Sequence, residues 1–149
     1  MSKIKIISIL TLIVFPLSAF ADNCSATIEG NDIMQYNTNN ITVDKTCKEF
    51  KVTLKHTGKL PKNIMGHNWV LTKTSDMTAV GNDGVTTGPD KDFLKANDTR
   101  VVAHTKLIGG GESDTVTIPL NKLNPSEQYS FFCTFPAHMA LMKGTLSFK

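Results

Sequence analysis

A short stretch near the C-terminus carries three side chains that bind soft metal ions. Cys133, His138 and Met142 supply a thiol, an imidazole and a thioether, with four residues between the first two and three between the last two. A tight loop that leaves a strand at Cys133 and rejoins one at Met142 would point all three at one ion. These soft ligands suit copper, whereas zinc rarely uses methionine. A trigonal copper site with two histidines, one cysteine and a weak axial methionine carries single electrons, so one further histidine is needed.

Of the remaining histidines, His67 is the best candidate for the second imidazole. Gly66 before it lets the backbone approach an ion closely, and Asn68 after it offers a polar side chain that can tie two loops together. His104 falls on a strand face that we expect to meet solvent. His56 ends the apolar face of a predicted strand, where a buried, hydrogen-bonded histidine is a simpler interpretation than a ligand.

The elements that must position these residues are short β-strands separated by turn-forming residues, a pattern typical of a sandwich or barrel. Alternation is clearest at 50–56, where Phe50, Val52, Leu54 and His56 share one face. Further strands are predicted at 26–29, 41–43, 68–72, 100–108, 115–118, 129–133 and 144–148. Between residues 75 and 88 the alternation disappears, and only a weak short helix fits because of the glycines and threonines there.

The first 21 residues have the pattern of a secretory signal peptide. Lys3 and Lys5 precede a short apolar run, and residues 19–21 form an A-x-A cleavage signal. The run is too short to span a bilayer as a helix. We therefore predict an exported protein cut after Ala21, with one domain over residues 22–149 and no membrane span in the mature form.

The predicted mature chain is almost neutral. The whole chain has a formal net charge of +3, and without Lys3 and Lys5 there are 14 basic and 13 acidic residues. Such a chain has no strong field for nucleic acid or anionic lipid, which disfavours both as partners.

Three cysteines in an exported chain leave one without a disulfide partner. Cys24 and Cys47 both lie in the N-terminal part of the chain, and pairing them is the simplest arrangement in an oxidising compartment. Closing that loop contributes roughly 3 kcal/mol in the chain-entropy description. Cys133 is then the free thiol, and the alternative to a ligand role is a buried cysteine that acts as a small apolar side chain.

Several stretches of the sequence resemble the azurins, a family of blue-copper cupredoxins. They are residues 29–32, 41–45, 63–71, 100–109 and 131–146. The resemblance covers essentially all of residues 22–149, and the spacing after the cysteine separates azurins from the shorter-looped plastocyanin-like relatives. It implies an all-β fold, namely an eight-stranded Greek-key cupredoxin β-sandwich with a short helical insertion near residues 75–88.

The resemblance also implies one copper ion, cycling between Cu(I) and Cu(II), and a complete ligand set. His67, Cys133 and His138 would be the principal ligands, with Met142 weakly axial and the carbonyl of Gly66 opposite it.

Around these ligands, the resemblance implies that the backbone amides of Asn68 and Phe135 hydrogen-bond the cysteine sulfur. It also implies the disulfide between Cys24 and Cys47. Two positions depart from the family pattern: Ala137 stands where many azurins have glycine, and Phe93 replaces a usual tyrosine.

The resemblance further implies an apolar patch around the exposed edge of His138, which we name the apolar rim. The rim consists of Met34, Leu60, Pro61, Ile64, Met65, Pro136 and Ala137. Small apolar contacts suit brief redox encounters. We therefore predict transient docking to redox partner proteins such as c-type cytochromes or copper/haem oxidoreductases.

The function predicted is a periplasmic blue-copper protein that shuttles single electrons and is not an enzyme. Protein groups fill the equatorial coordination positions, which leaves no open site for a substrate. The alternative is a periplasmic copper storage or delivery protein, which favours exposed Met- and Cys-rich segments; the methionines of this chain are scattered.

Overall fold

A computed structural model describes residues 24–149 of the chain. The predicted signal peptide, residues 1–21, and the first two residues of the predicted domain lie outside the described residues. Within residues 24–149, neither helix has the length and apolar character that crossing a bilayer requires.

Residues 24–149 contain eight strands, two short α-helices and four single 3-10 turns. The strands are β1 (Ser25–Gly30), β2 (Asn40–Val43), β3 (Glu49–His56), β4 (Val70–Lys73), β5 (Val101–His104), β6 (Ser113–Pro119), β7 (Tyr129–Phe132) and β8 (Lys143–Phe148). The helices are α1 (Lys62–Met65) and α2 (Met77–Val85).

The strands form two sheets that enclose one core. The smaller sheet has the order β1-β3-β6, and the larger has the order β2-β8-β7-β4-β5. β1 is parallel to β3 and β2 is parallel to β8, whereas the other neighbouring pairs are antiparallel. The chain therefore crosses repeatedly between the sheets, which confirms the predicted cupredoxin β-sandwich.

The core lies between the two sheets and takes side chains from both. Its members include Ile28, Phe50, Val52, Leu54 and Ile118 from the smaller sheet, and Ile41, Val43, Leu71, Phe131 and Leu146 from the larger. The predicted apolar face of β3 is buried, since its four members are at most 2% exposed. Successive side chains of a strand point to opposite faces, so the polar residues between them lie outside.

The predicted helical insertion is present, over a narrower range. A 3-10 turn at Thr74–Asp76 leads into α2, whose buried Val80 packs with Phe132 of β7. At Gly81, an added Cβ would lie 2.5 Å from the sulfur of Met139. Because Met139 belongs to the loop between β7 and β8, the insertion packs against the segment that carries the proposed ligands.

A disulfide joins Cys24 to Cys47, with their Cα atoms 5.7 Å apart. This confirms the predicted pairing. Among residues 24–149, Cys133 is the free cysteine, and it is buried.

Candidate metal centre

Two segments at one end of the sandwich bring three predicted ligands together. His67 lies just before β4, Cys133 directly follows β7, and His138 lies in the loop that leads to β8. β4 and β7 are antiparallel neighbours, so the start of one meets the end of the other. One donor atom from each residue lies within 4.8 Å of the others, and all three residues are buried.

His67 is fixed from several directions. Its N–H donates to the carbonyl of Ile108 at 3.0 Å, and the N–H of Ile108 donates back at 2.8 Å. Its Nε2 lies 2.9 Å from the carbonyl oxygen of Asn31. A nitrogen that faces a carbonyl must donate, so Nε2 carries the proton and Nδ1 is left with a lone pair. The ring of His56 stacks on that of His67, with centroids 4.3 Å apart.

The Nδ1 atom of His67 is buried and has no hydrogen-bond partner among residues 24–149. Leaving a buried polar atom without a partner costs about 1–3 kcal/mol, so such an atom calls for an explanation. Burial lowers the pKa of His67 to about 4, which keeps the ring neutral near pH 7. A neutral imidazole with a free lone pair is the form that binds a metal ion.

Cys133 lies beside His138 and the backbone of Gly66. Its Sγ is 3.7 Å from Nδ1 of His138 and 3.9 Å from the carbonyl oxygen of Gly66. Burial raises the pKa of the thiol to about 11, although hydrogen bonds from the backbone N–H groups of Asn68 and Phe135 lower it. These are the two amides that the family resemblance places around the sulfur.

The loop between Cys133 and Met142 holds its shape with its own backbone. The N–H of Met142 donates to the carbonyl of His138 at 2.7 Å, and the N–H of His138 donates to the carbonyl of Phe135 at 3.0 Å. The N–H of Cys133 donates to the carbonyl of Met142 at 3.0 Å, which closes the loop. Burial also lowers the pKa of His138 to about 4.

Met142 is fully buried and lies next to His67. A Cβ added to Gly30 would lie 2.7 Å from Cδ2 of His67 and 3.3 Å from Cε of Met142. The absence of a side chain at Gly30 therefore makes room for both residues.

The two ligand-bearing segments are joined by the side chain of Asn68. Its Nδ2 donates to Oγ1 of Thr134 at 2.7 Å, and its Oδ1 accepts from the N–H of Thr134 at 2.9 Å. This two-way link connects the residue after His67 to the residue after Cys133.

Comparison with known proteins identifies the family. The profile described as "Copper binding proteins, plastocyanin/azurin family" matches residues 22–149. The chain belongs to the plastocyanin/azurin family of copper-binding proteins.

Three curated azurins show how close the similarity to that family is. The azurin of Pseudomonas aeruginosa is 59% identical over 147 residues, which cover 99% of this chain and 98% of that protein. The azurin of Bordetella pertussis is 59% identical over 132 residues, covering 89% and 88%. The azurin of Achromobacter denitrificans is 58% identical over 130 residues, covering 87% of each.

The donor set of this plastocyanin/azurin family member fits copper. Nδ1 of His67, which has no partner in the described part of the chain, offers a lone pair at the cluster, and the sulfur of Cys133 and a ring nitrogen of His138 lie beside it. Thiolate with imidazole, and a thioether nearby, is a soft set that copper prefers.

The apolar rim has a mixed exposure. Leu60 and Ile64 are 37% and 57% exposed, Pro61 and Ala137 are also exposed, and Met34, Met65 and Pro136 are half-buried. Two exposed apolar side chains were not predicted. Ile33, in the turn after Asn31, is 65% exposed, and Leu141, in the ligand loop, is 63% exposed.

Three residues that hold the centre in place were also not predicted. Asn31 accepts from His67, and the Tyr36 hydroxyl donates to the carbonyl of Asn68. The carbonyl of Asp92 accepts from Nδ2 of Asn68 at 2.7 Å. Each contact joins residues at least 24 positions apart, so a local sequence motif could not predict it.

The other histidines do not join the cluster. His56 is buried, with Nε2 2.7 Å from the carbonyl of Met65 and Nδ1 accepting from the N–H of Gly58 at 3.0 Å. His104 is exposed, as expected.

Proposed function

We propose that this protein is a single-electron carrier that works through one copper ion held by His67, Cys133 and His138. Met142 would be the weak axial ligand, and the carbonyl of Gly66 would lie opposite it. The observation that carries this proposal is the closed cluster of buried donors within 4.8 Å of one another, one of which has no other partner within residues 24–149.

The task of the protein chain at such a centre is to keep the donors still. Bound copper would supply a one-electron couple whose two oxidation states prefer different geometries. The backbone pair between His67 and Ile108, and the link between Asn68 and Thr134, hold the ligand segments in one arrangement. Little rearrangement then accompanies the arrival of an electron. The N–H groups at the Cys133 sulfur stabilise its negative charge.

The same burial argues for a carrier and against an enzyme. His67, Cys133, His138 and Met142 are at most 2% exposed. A catalytic metal ion keeps a coordination position open for substrate, whereas a carrier only needs a short route for the electron.

We infer that the protein is exported, cut after Ala21 and active in the periplasm, and that it meets its partners through the apolar rim. The pattern of residues 1–21 and the similarity to curated azurins support this inference. Exposed Leu60 and Ile64 support brief apolar docking to redox proteins, for which c-type cytochromes and copper/haem oxidoreductases are the candidates.

Visible spectroscopy and cyclic voltammetry of the copper-loaded protein test the proposal. An intense blue colour and a reversible one-electron wave are expected, because a short Cu(II)–thiolate bond is strongly covalent. A colourless Cu(II) form, or the absence of a reversible wave, contradicts the proposal. Rapid transfer of the copper to a chelator would instead indicate storage or delivery.

A further inference from the structure

Asn68 connects the two segments that carry the proposed ligands. Its backbone N–H faces the sulfur of Cys133 and lowers the pKa of that thiol, and its side chain bonds Thr134 and the carbonyl of Asp92. It also follows His67 directly in the chain. A small rotation of the Asn68 backbone would therefore move the ligand His67. It would also move the Asn68 N–H group relative to the sulfur of Cys133.

The carbonyl of Asn68 is bound by a side chain and not by the sheet. β4 begins two residues later, and among residues 24–149 no backbone N–H donates to this carbonyl. The hydroxyl of Tyr36 donates to it instead. A buried carbonyl without a partner is unfavourable, so Tyr36 supplies a bond that the backbone of this segment needs.

Tyr36 is itself held in position. Its backbone forms an isolated bridge with Gly30, and its ring lies 5.9 Å from that of Phe131, centroid to centroid. The ring also brings the hydroxyl close to Cys133: burial raises the pKa of Tyr36, and the neighbouring sulfur raises it further. The Tyr36 hydroxyl therefore binds the Asn68 carbonyl at a place where the sulfur of Cys133 affects its own pKa.

We propose that the Tyr36 hydroxyl is a positioning group of the copper centre, which holds the Asn68 backbone against Cys133 and raises the reduction potential. Hydrogen bonds to the sulfur stabilise the additional negative charge of the reduced state, so a firmly held donor favours reduction. The inference rests on the proposed electron-carrier function and names a residue outside the ligand set that tunes it.

The chain offers a matched control, because it has two tyrosines. Tyr129 is 3% exposed, and its hydroxyl accepts a hydrogen bond from the N–H of Asn124 at 2.9 Å. It lies at the far end of β7 from Cys133. Tyr36→Phe and Tyr129→Phe each remove one hydrogen-bonded hydroxyl from a packed tyrosine, but only the first is next to the centre.

The experiment compares both variants with the wild type by voltammetry of the copper-loaded protein and by hydrogen exchange of the copper-free protein. Tyr36→Phe is expected to lower the reduction potential and to speed exchange of the Asn68 amide relative to the slowest amides, which report global unfolding. Tyr129→Phe is expected to leave the potential and the relative exchange of Asn68 unchanged.

Two outcomes overturn the proposal. Equal potentials in the wild type and Tyr36→Phe would show that the hydroxyl does not tune the centre. Equal shifts in both tyrosine variants would assign the effect to general stability. A wild-type protein without a reversible wave would instead refute the electron-carrier function, and the copper-free exchange experiment would still report whether Tyr36 holds Asn68.

Discussion

The two segments that carry the proposed ligands are held in different ways. Residues 66–69 make bonds to distant parts of the chain: to Ile108 and Asn31 through His67, and to Thr134 and Tyr36 through Asn68. The loop of residues 133–142 instead makes several of its bonds within itself. The first segment depends on the whole fold, whereas the second depends largely on its own short sequence.

An electron-transfer centre requires a fixed metal geometry and access to a surface, and a different segment meets each requirement. The buried, widely bonded segment fixes the geometry of the metal site. The self-supporting loop brings His138 toward a surface that carries exposed apolar side chains such as Leu141. Changes in the two regions should therefore affect different measurements.

The largest effect is expected at Cys133, whose sulfur contacts Gly66 in the first segment and His138 in the second. Cys133→Ser replaces the soft thiolate with a hard oxygen donor, which removes the covalent copper–sulfur bond. We expect the intense blue colour to disappear even where copper still binds, as measured by visible absorption and metal analysis. A serine variant that remains intensely blue would contradict the ligand assignment.

The apolar rim can be changed without changing the ligands. Leu60→Asp or Met65→Lys would place like charges opposite each other when two molecules meet, and we expect electron self-exchange to slow by about tenfold or more. High salt should partly restore the rate by screening, and the visible spectrum should change little.

Thr117→Asp provides the control for the rim variants. Thr117 is exposed on β6 of the smaller sheet, away from the ligand segments, so its self-exchange rate should stay close to that of the wild type. A wild-type rate in both rim variants would show that electrons leave through another face.

Acid should lower the stability of the copper-free protein through one histidine in each segment. Burial lowers the pKa of His67 and His138 to about 4, from an ordinary value of 6.5. Between these values the unfolded chain binds more protons than the folded one, so stability falls as the pH drops through this window. The slope approaches roughly 1.4 kcal/mol per pH unit for each histidine.

Urea unfolding at pH 7 and pH 4.5 measures this dependence. His67→Gln and His138→Gln should each reduce the slope, because each removes one group that gains a proton on unfolding. Equal pH dependence in the wild type and both variants would show that the loss of stability in acid does not come from these two rings.

Met142 closes the self-supporting loop but is predicted to be only a weak ligand. Met142→Leu should keep the blue colour and raise the potential by tens of millivolts, on the order of 1 kcal/mol for a one-electron couple, because an apolar group replaces a soft donor. Loss of copper binding in this variant would make Met142 a principal ligand.

The same contrast explains how much of the structure the sequence could predict. Local patterns were sufficient for most strands, for the helical insertion and for the loop of residues 133–142. They predicted a strand over residues 100–108, but β5 ends at His104. At the next residue the N–H of Trp69 donates to the side-chain hydroxyl of Thr105, which takes the place of a backbone partner and interrupts the ladder.

The parts that could not be predicted depend on long-range contacts. Asn31, Tyr36 and Asp92 support the centre through bonds to residues far along the chain. The helix α1 was also missed, since its four residues are too few to show a helical period. The left-handed backbone of Asp92, with φ of 54°, and the partner of its carbonyl are both visible only in the fold.

The smallest effect is expected from a strained position in the self-supporting loop. Ala137 has φ of 70°, a left-handed conformation that costs a residue with a Cβ about 1–2 kcal/mol. Glycine adopts it without strain but loses more conformational entropy on folding, by about 0.4–1 kcal/mol. Ala137→Gly should therefore stabilise the protein by roughly 0.5–1 kcal/mol.

Ala140 provides a control of opposite sign in the same loop. It is exposed and lies in the 3-10 turn of residues 138–140, where alanine is unstrained. Ala140→Gly should therefore destabilise the protein by about 0.5–1 kcal/mol. Urea unfolding of the copper-free variants measures both changes. If the two substitutions shift the free energy of unfolding in the same direction, backbone strain at Ala137 does not destabilise the loop. The shape of the loop is then set by contacts outside its own backbone.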